Sequence, residues 1–339
     1  MRKSKLQSRR EFIKISLLGA GALVIPMPLI GKKISDKKKI TFGICTDVHK
    51  DIMPDAEERL RVFINRMNKE KVDFIIQLGD FCFPKKENEN FLSIWNKFDG
   101  KKYHVLGNHD MDISSKRETM EFWGMENSVY SFDAGNFHFV VLDPNFFKEV
   151  GKFVSYDDSN YYSHGNSRTY VPPEQLKWLQ DDLKKTNIKS VVFSHQSFAH
   201  GCRNGEEVRA ILEEANQSSG FQKVIACVNG HHHSDKYDVI KGIHYVNINS
   251  MSYKWLGNKY AVRDRYPEEI LKKYPSAKYI APYRDPLYAL VTISSEEMKI
   301  KGMKSEFIPP TPEDLGVPSV PDRNSKIPQI SNRIIKLKR

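Results

Sequence analysis

The chain is sparing with cysteine, has no long unbroken apolar run, and carries no excess of positive charge through its middle. Four cysteines, Cys45, Cys82, Cys202 and Cys227, stand in 339 residues. They could pair in an oxidising compartment. Three lie inside apolar runs, however, and read as buried free thiols, so the fold is not expected to rest on disulfides. The most apolar stretch, Ile15 to Ile30, is broken by Gly19, Gly21, Pro26 and Pro28, which excludes a stable membrane span. The formal charge of +11 suggests nucleic acid or a membrane surface until it is located. Residues 1–39 hold eleven Lys and Arg against Glu11 and Asp36, and residues 321–339 hold six against Asp322, so residues 40–320 carry −3. The basic character sits in the tails, and no specific nucleic-acid partner is expected of the body. At this length the chain holds one large domain or two small ones, with a sizeable core.

Ser8-Arg9-Arg10-Glu11-Phe12-Ile13-Lys14 precedes the broken apolar stretch. A charged start before a short apolar segment reads as an export signal. The paired arginines make it resemble a twin-arginine (Tat) signal, S-R-R-x-F-L-K, with Ile13 in the Leu place. The resemblance implies the Tat export machinery as a partner and a periplasmic place, or one on the outer side of the cytoplasmic membrane. No clear A-x-A cleavage site follows, so the segment could remain as a membrane attachment. Residues 1–39 are therefore set apart from the fold.

Five short apolar runs each end in polar residues. Ile40–Cys45 leads to Asp47-Val48-His49, Val72–Leu78 to Gly79-Asp80, and Lys102–Leu106 to Gly107-Asn108-His109-Asp110. Ser190–Ser194 leads to His195, and Lys223–Asn229 to Gly230-His231-His232-His233. Two residues apart on an extended backbone point the same way, so Asp47 should face with His49, and His231 with His233; His232 faces the other way and is left out. Amphipathic spacing predicts helices over Pro54–Glu70, about Asn90–Phe98, Glu118–Phe122, from Pro172 onward, and Glu206–Glu214. Helices between the first three strands give the β-α-β-α-β pattern of a parallel sheet, an α/β fold. Val129–Phe132 with Phe137–Leu142, and Leu287–Ser294 with Met298–Met303, read as hairpins. His138 alternates with apolar residues and reads as structural. The folded domain is taken as 40–305, with aromatic-rich insertions at 144–172 and 249–285, and 306–339 as a Pro-rich basic tail.

The order D-x-H, G-D, G-N-H-D, H, G-H-x-H resembles the calcineurin-like metallophosphoesterase superfamily, over roughly residues 40–250. Each block alone is weak; the five in order carry the resemblance. It implies a four-layer αββα sandwich of two mixed β-sheets flanked by helices, and a phosphoester hydrolase with two divalent metal ions. By the family's pattern Asp47, His49, Asp80 and His233 hold one ion, and Asp80, Asn108, His195 and His231 hold the other. Two ions about 3.5–4 Å apart need a shared carboxylate, and mixed imidazole, carboxylate and amide donors suit Mn, Fe or Zn. The resemblance further implies in-line attack by a bridging hydroxide, with His109 as proton donor or transition-state stabiliser. Asp110 is read as a supporting residue that orients the turn or His109.

Departures narrow the resemblance. Phe83 stands where purple acid phosphatases place a metal-binding tyrosine, and His49 supplies a histidine that they lack. Gly79–Lys85 lacks the G-D-x-V-D-R-G of the protein phosphatases. The chain looks closer to the class III cyclic-nucleotide phosphodiesterases and manganese-dependent nucleotide pyrophosphatases. A small-molecule phosphoester, diester or phosphoanhydride is thus the expected substrate. Tyr161, Tyr162, Tyr253 and Trp255 could stack on a base or ring, and Arg203, Arg263 or Arg265 could hold a second phosphate. The plainer alternative is that these residues pack the insertions onto the sandwich. A metal-binding interaction module without catalysis is a remoter reading, because none of the ligand blocks is missing.

Overall fold

The computed structural model describes residues 39–318 and 327–338, so the Tat-like stretch Ser8–Lys14 lies outside the described residues. Strands and helices alternate at the start: β1 (Lys39–Cys45), α1 (Ala56–Glu70), β2 (Phe74–Gln77), α2 (Glu89–Trp95), β3 (Lys101–His104) and α3 (Lys116–Trp123). The hairpin β4 (Tyr130–Ala134) and β5 (Phe137–Val141) follows, then a smaller one, β6 (Phe146–Glu149) and β7 (Lys152–Ser155). Next come α4 (Pro173–Lys185), β8 (Lys189–Phe193), α5 (Gly205–Ser219), β9 (Val224–Asn229), β10 (Lys236–Ile240) and β11 (Ile243–Asn247). β12 (Tyr253–Trp255) pairs with β13 (Ile280–Pro282) around α6 (Glu268–Lys273). β14 (Ala289–Ser294), β15 (Glu297–Lys301) and β16 (Arg333–Lys336) complete the order.

Two six-stranded sheets result, β16-β15-β14-β1-β2-β3 and β10-β11-β9-β8-β5-β4. β1, β2 and β3 run parallel and the other pairs of the first sheet antiparallel. In the second sheet β11, β9, β8 and β5 run parallel, with antiparallel edges. Side-chain alternation sorts the strands into layers. Phe42 and Phe74 stack at 4.6 Å between the sheets, where Phe139 and Phe193 meet Phe42 edge-on at 5.5 and 6.1 Å. Their neighbours point outward: Cys45 and Ile75 join Leu60, Phe63 and Trp95 under α1 and α2. Val140, Val192 and Cys227 join Leu179, Leu183, Val208 and Leu212 under α4 and α5. Helices, sheet, sheet, helices is the four-layer αββα sandwich. Each fully buried Phe in the middle layer contributes about 1.5–3 kcal/mol by leaving water.

Several strands escape the sequence pattern, among them β6, β7, β12 and β13 inside the two insertions and two strands at sheet edges. Lys236–Ile240 alternates half-buried and exposed residues at one sheet edge, and Arg333–Lys336 is a charged edge strand on β15. Charge on an edge strand blocks further pairing, and it also hides the strand from hydrophobic patterning. The described end of the basic tail therefore extends the first sheet. All four cysteines are free, with Cys45, Cys82 and Cys227 buried.

His138, on β5, faces away from the layer between the sheets. Its Nδ1 lies 2.7 Å from Asp133 Oδ1 and its Nε2 2.8 Å from Asp182 Oδ2 on α4, so an imidazolium donates to both. Burial opposes that charge, but the two carboxylates outweigh it and raise the pKa. A raised histidine stabilises the fold fully below its unfolded pKa, near 6.5, and less as pH rises through the folded value. His138→Gln should therefore melt about 2 °C or more below wild type at pH 6, and the gap should shrink towards pH 9. Melting curves across that range check the sign.

Candidate metal centre

The parallel strands of both sheets deliver their following loops to one edge. Asp47 and His49 follow β1, Asp80 follows β2, and Asn108 and His109 follow β3; His195 follows β8, and His231 and His233 follow β9. Backbone bonds lash these loops together: Asp47 N–H to Gly79 O (3.0 Å), His49 N–H to Asp80 O (2.9 Å) and Gly230 N–H to His195 O (3.0 Å).

The ligand-bearing backbone is not extended. Asp47 and His49 have φ of 50°, Asp80 53°, His231 72° and His233 45°. This left-handed region is sparsely used by residues with a Cβ. Asp47 thus meets His49, and His231 meets His233, through left-handed turns and not through the alternation of a strand. Close approach demands glycine beside them. A Cβ on Gly107 would collide with the amide and carboxylate of Asp80, and one on Gly230 with the Thr46 hydroxyl and the Asp47 carboxylate.

Six side chains form two triads, Asp47/His49/His233 and Asp80/His195/His231, each with its donor atoms within 4.8 Å of one another. Asp80 Oδ2 lies 3.1 Å from His195 Nε2 and 3.6 Å from His49 Nε2, so one oxygen reaches both groups. His49 Nε2 and His233 Nε2 are 3.1 Å apart, and His231 Nδ1 and His195 Nε2 are 3.2 Å apart. The far nitrogens of two rings are engaged: His195 Nδ1–H donates to Leu78 O at 2.6 Å, and His233 Nδ1–H to Tyr253 O at 2.8 Å. Both Nε2 atoms are thereby turned inward, the side a metal would take. Asp47 Oδ2 accepts from the Thr46 hydroxyl (2.6 Å) and the His231 N–H (3.0 Å), whereas Oδ1 is buried and accepts no hydrogen bond. Buried lone pairs converging without a donor are costly. Divalent cations satisfy them, and this donor set fits Mn, Fe or Zn.

Electrostatics agree. Burial pushes His49 down to about 3 and His231 well below the ordinary imidazole range, so both are neutral, as ligands must be. Despite burial, His233 and His195 hold the Asp47 carboxyl below its usual range. Burial also opposes charge on His195, but Asp80 and Asp47 outweigh it and raise that ring to about 9. A cation has to displace the His195 proton.

The flanking residues are placed as follows. Asn108 is buried, its side chain hydrogen-bonded to Tyr161 OH and Gln196 Nε2, both at 3.4 Å. Asp110 accepts the backbone N–H of Asp80 (2.9 Å), Phe81 (2.7 Å) and Gly107 (2.7 Å), so it orients the turns and not the His109 ring. That ring is held by Asp112, which the sequence reading passed over: His109 Nδ1 lies 2.8 Å from Asp112 Oδ2. His232 is exposed.

A cavity of about 740 Å³ opens over the triads, walled by Asp80, His109, His231, His233, Tyr253 and the half-exposed rings of Tyr162 and Trp255. Tyr253 is buried against the His49 and His233 rings, 5.1 and 4.9 Å away. Tyr161, expected as a stacking surface, is only 1% exposed and lies beneath Tyr162, ring centroids 4.4 Å apart. The expected arginines do not line this cavity. Arg203 bonds Asn166 Oδ1 at 2.6 Å, Arg263 lines a separate cleft with Lys272 and Lys278, and Arg265 donates to Ile280 O and Pro310 O. The cations that do line it are Lys85, Lys254 on β12 and Lys273 at the end of α6, with no shared motif to reveal them.

Residues 40–235 match the sequence profile of the calcineurin-like phosphoesterases. The chain belongs to this family. Among relatives of this calcineurin-like phosphoesterase, the manganese-dependent ADP-ribose/CDP-alcohol diphosphatase of Oryza sativa subsp. japonica is 26% identical over 269 residues, 60% of this chain and 81% of that one. Purple acid phosphatase 15 of Arabidopsis thaliana is 25% identical over 150 residues, 38% of this chain and 24% of that one. The crystal structure of a dimetal phosphatase from Danio rerio shares the fold at 15% identity and a TM-score of 0.56, covering 88% of this chain and 99% of that chain. Family, fold and triads together make the protein a metal-dependent phosphoesterase.

Manganese titration gives the check. Wild type should take up about two ions per chain and His195→Ala about one. Affinity at the second ion should rise about tenfold per pH unit between pH 6 and 8, because one proton leaves His195. Unchanged stoichiometry in the variant, or affinity flat with pH, would contradict the site.

Proposed function

We propose that the protein is a dinuclear phosphohydrolase that cleaves a phosphodiester or phosphoanhydride bond of a small, nucleotide-like compound outside the cytoplasm. The single observation that carries this reading is the Asp80 carboxylate oxygen reaching His195 at 3.1 Å and His49 at 3.6 Å, one from each triad. By the family's pattern, Asp47, His49, Asp80 and His233 would hold one ion, and Asp80, Asn108, His195 and His231 the other; the two triads and the reach of Asp80 to His49 support it. When bound, two such cations polarise a phosphoryl group and acidify a water.

The chain's own residues supply the rest. His109 stands at the cavity wall, its ring 5.6 Å from that of His49. With Nδ1 on Asp112, its Nε2 is left to hold a proton for the departing oxygen. Lys85, Lys254 and Lys273 offer charge for a second anionic group, and Trp255 and Tyr162 offer faces for a ring. A cavity of about 740 Å³ exceeds what one phosphate fills, which favours a two-part substrate. The rice relative, named for a manganese-dependent diphosphatase, supports the same choice and favours manganese. The purple acid phosphatase likeness weighs less, because Phe83 offers no oxygen to a metal. Export rests on the Ser8–Lys14 motif alone; retention of its apolar segment would tether the enzyme to the outer side of the cytoplasmic membrane.

A hydrolysis panel on manganese-loaded protein tests this. Bis-p-nitrophenyl phosphate and nucleoside diphosphate-linked compounds should turn over faster than p-nitrophenyl phosphate. Activity confined to the monoester would favour a phosphomonoesterase, and none at all would favour a binding module. His109→Ala should retain both metals while kcat falls about 10²-fold or more. If metal leaves with the ring, His109 is a ligand and the assigned role is wrong.

A further inference from the structure

The insertion at 144–172 does more than wall the cavity; it grips the turn that carries His109. Asp112 stands three residues beyond His109, at the end of the single helical turn His109–Met111. Its two oxygens gather three donors: Oδ2 lies 2.8 Å from His109 Nδ1 and 3.1 Å from the Tyr162 hydroxyl, and Oδ1 takes the Tyr161 hydroxyl at 2.6 Å. The Tyr162 hydroxyl is also 3.1 Å from His109 Nδ1. Beneath them the rings form a stack, Tyr156 on Tyr161 at 4.3 Å and Tyr161 on Tyr162 at 4.4 Å. The backbone joins the same parts, with Ser159 N–H donating to Met111 O (2.8 Å) and the Ser159 hydroxyl to Asp112 O (2.7 Å).

This arrangement has a chemical consequence for the ring. A carboxylate on Nδ1 can only accept, so it holds the proton there and fixes which nitrogen faces away. His109 Nε2 makes no hydrogen bond to a described residue, and the ring lines the cavity. Tyr161 and Tyr162 donate to the same carboxylate, which stops Asp112 from swinging to solvent. The neighbouring Asp110 is spent on three backbone N–H groups and cannot do this.

We propose that Asp112, clamped by Tyr161 and Tyr162 of the insertion, is the positioning residue that holds His109 with Nδ1 protonated and Nε2 presented to the leaving oxygen of the substrate. The inference rests on the phosphohydrolase reading for its kinetic consequence and not for its geometric one. In the step concerned, the oxygen of a water bonds to phosphorus as the bond from phosphorus to the leaving oxygen breaks, and the leaving oxygen keeps the electron pair. The proton on Nε2 goes to that oxygen, and solvent restores it.

Asp112→Asn keeps the shape but lets the amide donate as well as accept, so the tautomer is no longer imposed. Tyr162→Phe removes one hydroxyl from an exposed ring and leaves the fold intact. The first readout needs no turnover: nitrogen-15 NMR of the histidine rings in zinc-loaded protein, with His109 assigned by its loss in His109→Gln. Wild type should keep the Nδ1 proton of His109 both with and without a proton on Nε2, and Asp112→Asn should show a mixture of the two singly protonated forms; a wild-type ring protonated only at Nε2 overturns the proposal. The second readout is kinetic. In Asp112→Asn, kcat should fall about 10-fold or more for a phenyl ester, whose leaving group needs a proton, and far less for the p-nitrophenyl ester, with KM and metal content near wild type. Tyr162→Phe should show the same pattern, weaker. Equal losses on both esters, or loss of metal, would make Asp112 merely structural. Should wild type hydrolyse neither ester, the phosphohydrolase reading fails, and the ring spectrum still decides the tautomer.

Discussion

Ligand-type nitrogens and oxygens crowd together at the ends of five strands, and the rest of the molecule holds them there. His49 faces His233 and His195 faces His231 at hydrogen-bonding distance, while a buried oxygen of Asp47 accepts nothing. Asp47, Asp80 and His195 are buried, so water is not at hand to satisfy them. Five of the contributing residues also sit in left-handed backbone, at a cost of order 1–3 kcal/mol each. Such an arrangement persists only where packing over-determines it and where a ligand uses it. Both conditions hold here: two sheets and four helical elements pack behind the site, and divalent cations match its donors.

The outer parts of the chain serve the same edge. Asp110 ties the Asp80 turn to the Gly107 turn, and the insertion from residue 144 reaches back to Asp112. On the opposite side, Asp235 follows directly on the histidine loop and holds the chain end, accepting from Ser331 N–H at 3.0 Å and pairing with Arg333 at 2.5 Å. Asn249 Nδ2 donates to Gln329 O at 3.1 Å from the next loop. Segments that look peripheral along the sequence are thus fastened to the loops that bear the ligands.

Much of this was legible in the sequence. Apolar runs such as Val72–Leu78 and Ser190–Phe193 give strands buried on both faces, and each announces its ligand at its end. That placed Asp47, His49, Asp80, His195, His231 and His233 together before any coordinates. What was not legible depends on contacts between distant parts. The left-handed turns at Asp47 and His233 arise from inter-loop hydrogen bonds, so strand alternation gave convergence for the wrong reason. Charged edge strands such as Lys236–Ile240 carry too little apolar pattern to be seen. Tyr161 and Tyr162 are identical neighbours in sequence, yet one is buried and one exposed, which only the docking of the insertion decides. Asp112 escaped notice because Asp110, two residues before it, offered a simpler reading.

The central claim is that one carboxylate, that of Asp80, serves two cations. A crystal grown with manganese and measured for anomalous scattering tests it most directly. Two peaks about 3.5–4 Å apart, with an Asp80 oxygen touching both, are predicted. A single peak, or two peaks that share no ligand, would contradict the account.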